Sequence, residues 1–214
     1  MSSIAVILSA GVGTRFGADL PKQYQKVNDK MVISYVVEAL KASKVDEIIV
    51  ACSNEYFSNL IQEKFGLKTI LGGETRNITI SNSLKYITEK TTHNKVLFCD
   101  SARPNLNANY VNECVDKLDE YDSVITTQKI TDSLGGVEEI NLDRSKYFLI
   151  QTPECFKIDA LKNFDINSTC TAIVQQLDKT CKIYNNFNLQ NNIKITYAND
   201  LLLATNILRS NKWI

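Results

Sequence analysis

Apolar residues recur along this chain in two alternating rhythms. A continuous run, Ile4 to Leu8, predicts a strand buried on both faces. Val32, Ile33, Val36, Val37 and Leu40 then form the stripe of an amphipathic helix over 31–42. Residues 47–52 read as a second strand, 54–65 as a helix, 67–71 as a short strand and 77–89 as a helix with Ile80, Leu84 and Ile87 on one face. Residues 95–99 read as another buried strand, a helix follows near 107–119, and 123–127 is again a strand. This alternation predicts an α/β domain with a mostly parallel sheet flanked by helices. In open sheets of that kind ligands bind beyond the carboxyl ends of the strands. The informative residues should therefore follow strands.

The rhythm breaks between about 130 and 152, where short extended pieces surround Gly135-Gly136. A turn at that pair predicts a β excursion from the core. Regularity returns with NIKIT, 192–196, as a strand and 199–209 as a helix. With no repeat, linker or low-complexity stretch, the whole of 1–214 reads as one domain.

Composition narrows the choices. Hydrophobic residues make up 44% and charged residues 22%, enough for a full core. Lys+Arg 24 balances Asp+Glu 24, so the chain as a whole has no electrostatic bias towards nucleic acid or an anionic membrane. Any anion site must be a local cluster of cations. No apolar run approaches a membrane span, and no signal-type segment precedes the first strand. The six cysteines form no CxxC pair and there is one histidine, His93. That pattern predicts reduced thiols in a cytoplasmic protein and no zinc site.

The chemistry gathers where the first strand ends, at Ser9-Ala10-Gly11-Val12-Gly13-Thr14-Arg15-Phe16-Gly17, followed by Pro21-Lys22-Gln23-Tyr24. Glycines after a strand let backbone N–H groups approach phosphate oxygens. Arg15 and Lys22 add positive charge there. Neither a GxGxxG nor a P-loop is present, since Phe16 stands where the third glycine would be.

The string SAGVGTRFG…PKQY resembles the signature of the 2-C-methyl-D-erythritol 4-phosphate cytidylyltransferase family, which includes the ribitol-5-phosphate cytidylyltransferases. Four later segments match in order. Gly72-Gly73-Glu74-Thr75-Arg76 resembles GGxxR, and Asp100-Ser101-Ala102-Arg103-Pro104, after Cys99, resembles the end of HDAARP. Thr152-Pro153-Glu154-Cys155-Phe156 resembles TPQxF, and Asn192-Ile193-Lys194-Ile195-Thr196 resembles NIKxT.

The resemblance implies a Rossmann-like nucleotidyltransferase fold, with the excursion near 130–152 as a β-arm that embraces a second subunit in a homodimer. It implies CTP and a small phosphorylated acceptor as substrates, with Mg²⁺ supported by Asp100. Ser9, Ala10, Gly11, Gly13 and Thr14, with Arg15 and Lys22, would hold the triphosphate. Gly72, Gly73, Glu74, Arg76 and Thr79 would line the nucleotide pocket, joined by Asp100 and Ser101. Arg103, Ser133, Arg144, Thr152 and Lys194 would surround the acceptor. Elementary chemistry agrees with a cationic site: both reactants are anions, so Arg15, Lys22 and Lys194 are the expected catalytic residues.

Plainer roles compete for several of these residues. Arg103 and Arg144 read alone as surface ion-pair residues, Asp100 as a turn cap, and Lys194 as a snorkelling strand residue. Asp200 reads as a cap of the last helix, and His93 as a solvated loop residue with no role.

Departures from the family pattern fall on the acceptor side. DTxK in the arm is Asp132-Ser133-Leu134-Gly135 here, without its lysine. The acidic TD(D/E)A is Thr169-Cys170-Thr171-Ala172, without either acid, while Cys99 replaces a histidine and Ser101 an alanine. A cytidylyltransferase with an acceptor other than methylerythritol phosphate follows, such as a polyol phosphate bound for surface polysaccharide or capsule. Methylerythritol phosphate itself, a sugar-1-phosphate nucleotidyltransferase and a non-catalytic nucleotide-binding subunit are the alternatives. An α/β dehydrogenase would need GxGxxG and an acid ending the second strand, where Cys52 stands.

Overall fold

A computed structural model describes residues 2–138 and 141–210, the side chain of Thr14 excepted. The first strand, β1 (Ser3–Ser9), is buried nearly throughout, as its unbroken apolar run requires. After the short hairpin of β2 (Lys26–Val27) and β3 (Lys30–Met31) come α1 (Val32–Lys41), β4 (Glu47–Cys52), α2 (Glu55–Phe65) and β5 (Lys68–Leu71). Then follow α3 (Arg76–Lys90), β6 (Lys95–Asp100), α4 (Ala108–Lys117) and β7 (Ser123–Lys129). The chain ends in β8 (Phe148–Lys157), β9 (Ile183–Asn186) and α5 (Asp200–Ser210).

Seven strands form one sheet in the order β5-β4-β1-β6-β8-β7-β9. The pairs among β5, β4, β1 and β6 are parallel, and β8 lies antiparallel between β6 and β7. The fold is the α/β architecture that the sequence predicts, a mostly parallel sheet flanked by helices. Helices α1, α2 and α4 cover one face, where Ile33, Val37, Leu40, Ile61 and Val111 pack on Ile7, Val50 and Leu97. On the other face Ile80 and Ile87 of α3 meet Ile4, Ile49, Phe98 and Phe156.

Local chemistry starts the helices where they begin. Asn54, Thr75 and Asn107 each accept a bond from the backbone N–H three residues on, satisfying a donor that the first helical turn cannot. Gly66 ends α2 with φ of 65°, a conformation that side chains resist. Register then aligns the strand ends. Ser9 stands opposite Cys52, and Leu8 opposite Asp100, so the loops after β1, β4 and β6 open at one level.

Two expectations fail. The excursion is not β structure over its described residues before Phe148: 130–138 and 141–147 form no strand, and 148–152 belong to β8, of which 148–151 pair with β7. The excursion therefore ends before Phe148, where β8 begins. Nor is 192–196 a strand. Ile195 N donates to Ala102 O at 2.9 Å, and Ile195 is buried against Val32, Ala102 and Ala204. The alternation of Ile193 and Ile195 serves a side cluster capped by α5 rather than a sheet ladder.

His93 is also less solvated than its polar loop suggested, since its Nε2 lies 3.0 Å from Glu47 Oε2. Four of the six cysteines, Cys52, Cys99, Cys114 and Cys155, are buried, and all six are unpaired. Among the described residues no helix is long and apolar enough to cross a membrane.

Candidate active site

The aligned strand ends border a cleft of about 660 Å³. Its first wall is the loop after β1, contributing Ala10, Gly11, Val12 and Arg15 with Lys22 and Gln23 beyond. Gly13, at φ 72°, turns this loop into a short 3₁₀ segment, Thr14–Phe16. Gln23 holds the loop from beneath. Buried at 2% exposure, its amide nitrogen donates to Ser9 O and Gly11 O, both at 3.0 Å. Gln23→Ala removes both bonds and is expected to cost about 1–3 kcal/mol of stability. The same loosening should weaken CTP binding in calorimetry, and an unchanged affinity would mean that the loop holds its shape without Gln23.

The opposite wall is Gly72, Gly73, Glu74 and Arg76 with Thr79. Thr79 Oγ1 accepts from Gly73 N at 3.0 Å and donates to Thr75 O at 3.0 Å, tying the glycine turn to the start of α3. The floor is Asp100 and Ser101, at the end of β6, together with Lys194.

Lys194 reaches that floor because its segment is bound down on both sides. Arg103 Nη1 donates to Asn192 O at 2.6 Å, and Asn192 Nδ2 donates to Thr152 O at 2.9 Å. Further along, Asp200 Oδ2 accepts from the backbone N–H groups of Thr196 and Tyr197, at 2.7 and 2.8 Å. Asp200 thus does cap the approach to α5. With no strand at 192–196, Lys194 is not snorkelling from a sheet. Its Nζ lies 2.9 Å from Asp100 Oδ2, which Arg103 Nε also approaches at 3.3 Å.

The electrostatics follow from this crowding. Burial pushes the Asp100 carboxyl up, but Lys194 and Arg103, with Arg76 beyond, outweigh it and hold the group well below the usual carboxylate range. Lys22 moves the other way. Burial lowers its pKa first, and the positive charges of Lys194 and Arg15 add to the fall against the pull of Asp100 and Asp200. Lys22, Lys194 and Arg15 therefore share one electrostatic neighbourhood.

A second cleft of about 410 Å³ adjoins the first and shares Arg76, Asp100 and Lys194 with it. Its own lining includes Arg103, Gln151, Thr152, Glu154, Thr171 and Gln175. Thr152 Oγ1 accepts from Asp100 N at 3.0 Å, and Arg103 is buried rather than on the surface. Arg76 borders both clefts but turns both terminal nitrogens to the second: Nη2 donates to Glu154 Oε1 at 3.0 Å, and Nη1 to Thr171 O at 3.3 Å. Burial raises the pKa of Glu154, while Arg76 and the N–H of Val174 pull it down.

Not every expected residue is brought in. Ser9 does not line the nucleotide cleft; its hydroxyl is 3.0 Å from the Tyr24 hydroxyl, inside the core. Gly13 shapes the loop without lining the cleft, and the side chain of Thr14 lies outside the described residues. Ser133 and Arg144 border neither cleft of their own chain. Arg144 instead donates to Thr131 O within the excursion. Conversely, Gln23, Ser53 and Glu154 belong to the site and were not singled out from the sequence. Gln23 sits inside PKQY, the one local signal that could have found it.

Among the described residues no three His, Cys, Asp or Glu side chains gather as a metal-binding group. A single carboxylate beside a phosphate cleft still fits Mg²⁺, which is commonly held by one or two carboxylates plus substrate phosphates. Asp100 meets that description, since both of its ion pairs fall on Oδ2.

A glycine loop after the first strand of a mostly parallel sheet, facing convergent cations across a nucleotide-sized cleft, defines a nucleotidyltransferase. The match to 2-C-methyl-D-erythritol 4-phosphate cytidylyltransferase spans residues 3–210, and the chain belongs to that family. It is accordingly a CTP-dependent cytidylyltransferase. The 2-C-methyl-D-erythritol 4-phosphate cytidylyltransferase of Clostridium acetobutylicum is 29% identical, over 97% of each chain. The ribitol-5-phosphate cytidylyltransferase of Lacticaseibacillus paracasei is 25% identical, over 96% of this chain and 97% of that one. Among solved structures, the bifunctional IspDF from Campylobacter jejuni superposes with a TM-score of 0.81 at 25% identity, covering 94% of this chain. This chain spans 54% of that bifunctional protein.

Proposed function

We propose that the protein transfers CMP from CTP to a small phosphorylated acceptor other than methylerythritol phosphate, giving a CDP-linked product and pyrophosphate. The observation that carries this reading is the pair of clefts meeting at Arg76, Asp100 and Lys194. The larger suits CTP and the smaller an acceptor, so two anions would lie side by side over shared cations. An acceptor phosphate oxygen attacks the α-phosphorus, the bond to the oxygen bridging α- and β-phosphorus breaks, and that oxygen leaves with pyrophosphate. Arg15 and Lys22 face the leaving side, and Lys194 the junction where attack occurs. Their charge offsets the repulsion between the reactants. Asp100 would hold a Mg²⁺ carried by the CTP phosphates, and such an ion supplies further charge neutralisation there.

The different acceptor is supported by the wall of the smaller cleft. Thr171 lines it where the family pattern has an acid, and the nucleotide side keeps its motifs. A polyol phosphate such as ribitol 5-phosphate fits a pocket that offers cations for the phosphate (Arg76, Arg103, Lys194) and the hydroxyls of Thr152 and Thr171 for the polyol, and its product would feed surface polysaccharide or capsule synthesis. Methylerythritol phosphate is the second reading, favoured by the names of relatives such as the Clostridium enzyme. Six unpaired thiols fit a reducing cytoplasm. Ser133 and Arg144, placed away from their own clefts, fit an arm that serves a partner subunit in a homodimer.

Pyrophosphate release with CTP, Mg²⁺ and a panel of methylerythritol phosphate, ribitol 5-phosphate and glycerol 3-phosphate tests the reading. At least one of the other acceptors should give a kcat/KM above that of methylerythritol phosphate. Preference for methylerythritol phosphate would establish the second reading, and release with none would leave a non-catalytic binder.

A further inference from the structure

Glu154 is a charged side chain in the middle of β8, 1% exposed, between buried neighbours. Burying a carboxylate costs several kcal/mol unless it is paired and hydrogen-bonded. Here it is both. Oε1 takes the bond from Arg76, the first residue of α3, and Oε2 accepts from Val174 N at 3.1 Å. Through Arg76 Nη1 the same link reaches Thr171 O. One carboxylate thus ties three separate pieces of chain: β8, the start of α3, and the loop 171–174. Close by, Asn77 Nδ2 donates to Ser168 O at 2.9 Å, adding a neutral bond between α3 and the chain just before that loop.

The position is informative because the family segment carries glutamine where Glu154 stands, and acids where Cys170 and Thr171 stand. In this chain the carboxylate stands on the strand beneath the loop and holds Arg76, while Thr171 of the loop offers the cleft a hydroxyl and its backbone. An arginine fixed at two nitrogens loses most of its rotamer freedom before substrate arrives, which lowers the entropy cost of binding. Its side chain stays 31% exposed, so part of the guanidinium remains open to an acceptor.

We infer that Glu154 is the positioning residue for Arg76. It locks the guanidinium at the boundary of the two clefts, draws the 171–174 loop in behind it, and so sets acceptor affinity far more than CTP affinity. The second half of this statement rests on the reading of the smaller cleft as the acceptor site.

The test uses full-length E154Q, R76Q and the double variant. The side-chain Nη–H NMR signals of Arg76, assigned by their loss in R76Q, should be resolved and slowly exchanging in the parent and averaged among exposed arginines in E154Q. With the fastest acceptor of the three-member panel, E154Q should raise the acceptor KM roughly tenfold. The CTP Kd by calorimetry should change less than twofold, and the double variant should be no worse than R76Q. If E154Q does not fold, Arg76→Lys keeps the charge but loses the reach to Thr171, and the same rise in acceptor KM is expected. An Arg76 signal still ordered in E154Q, or effects of E154Q and R76Q that multiply, would overturn the inference. If no panel acceptor turns over, the acceptor reading falls, while the NMR signal still decides whether Glu154 holds Arg76.

Discussion

Lys194→Ala should lower kcat/KM for CMP transfer by about a hundredfold or more, roughly 3 kcal/mol of transition-state stabilisation. The size follows from position. Lys194 is a common wall of both clefts, where the attacking phosphate must approach the α-phosphate. An ammonium has three donors, and only one is needed for Asp100. The others are available to phosphate oxygens as charge builds up. Arg103 is less free to take over, because two of its three nitrogens are held, Nη1 by Asn192 O and Nε by Asp100. The loss should fall mainly on kcat, because the glycine loop, Arg15 and Lys22 still hold CTP. Lys22→Ala should give a loss of similar order with a larger share in CTP affinity. Steady-state pyrophosphate release separates the two, and a loss below tenfold for Lys194→Ala would show that its ammonium does not reach the reacting phosphates.

Gly72→Ala is the second large effect expected, and it acts through shape alone. A Cβ at position 72 would sit 2.4 Å from the Ala10 Cβ and 3.1 Å from Thr79 Oγ1. Ala10 belongs to the loop after β1 and Thr79 holds the turn at Gly72-Gly73, so the methyl would push the two walls of the nucleotide cleft apart. Overpacking of this kind costs about 1–3 kcal/mol of stability. The CTP affinity should fall by at least about tenfold, because the walls must close on one ligand. Thermal melting and calorimetry read the two effects. Adding Ala10→Gly removes the clashing partner and should recover much of both, since contacting residues couple. A Gly72→Ala protein that binds CTP normally would show that these walls are not fitted to each other.

The parallel half of the sheet was legible because strands buried on both faces read as unbroken apolar runs, as Ile4–Leu8 and 96–99 do. β8 was hidden for the opposite reason. Pro153 and Glu154 interrupt it, and proline within a run argues against a strand. The structure accommodates both: Pro153 O accepts from Thr126 Oγ1 at 2.8 Å, and Glu154 meets Arg76. Residues 192–196 misled in the reverse direction, because alternating isoleucines look alike whether they face a sheet or a side cluster. The site was readable where function is carried by local runs, as in the glycine loop, Lys22 and Asp100. Ser9 was drawn in by adjacency to that loop, although β1 turns its hydroxyl into the core. Glu154 could not be found locally, since its meaning depends on an arginine brought near by the crossing of α3 over the sheet.

The tether that carries Lys194 also governs when the cleft is reactive. The ammonium reaches Asp100 only while Arg103 holds Asn192 and Asp200 closes the turn ahead of α5. Local opening of that one segment would leave the nucleotide cleft standing and withdraw the charge that makes it reactive. Reactivity is thus a property of the closed domain as a whole rather than of the glycine loop alone.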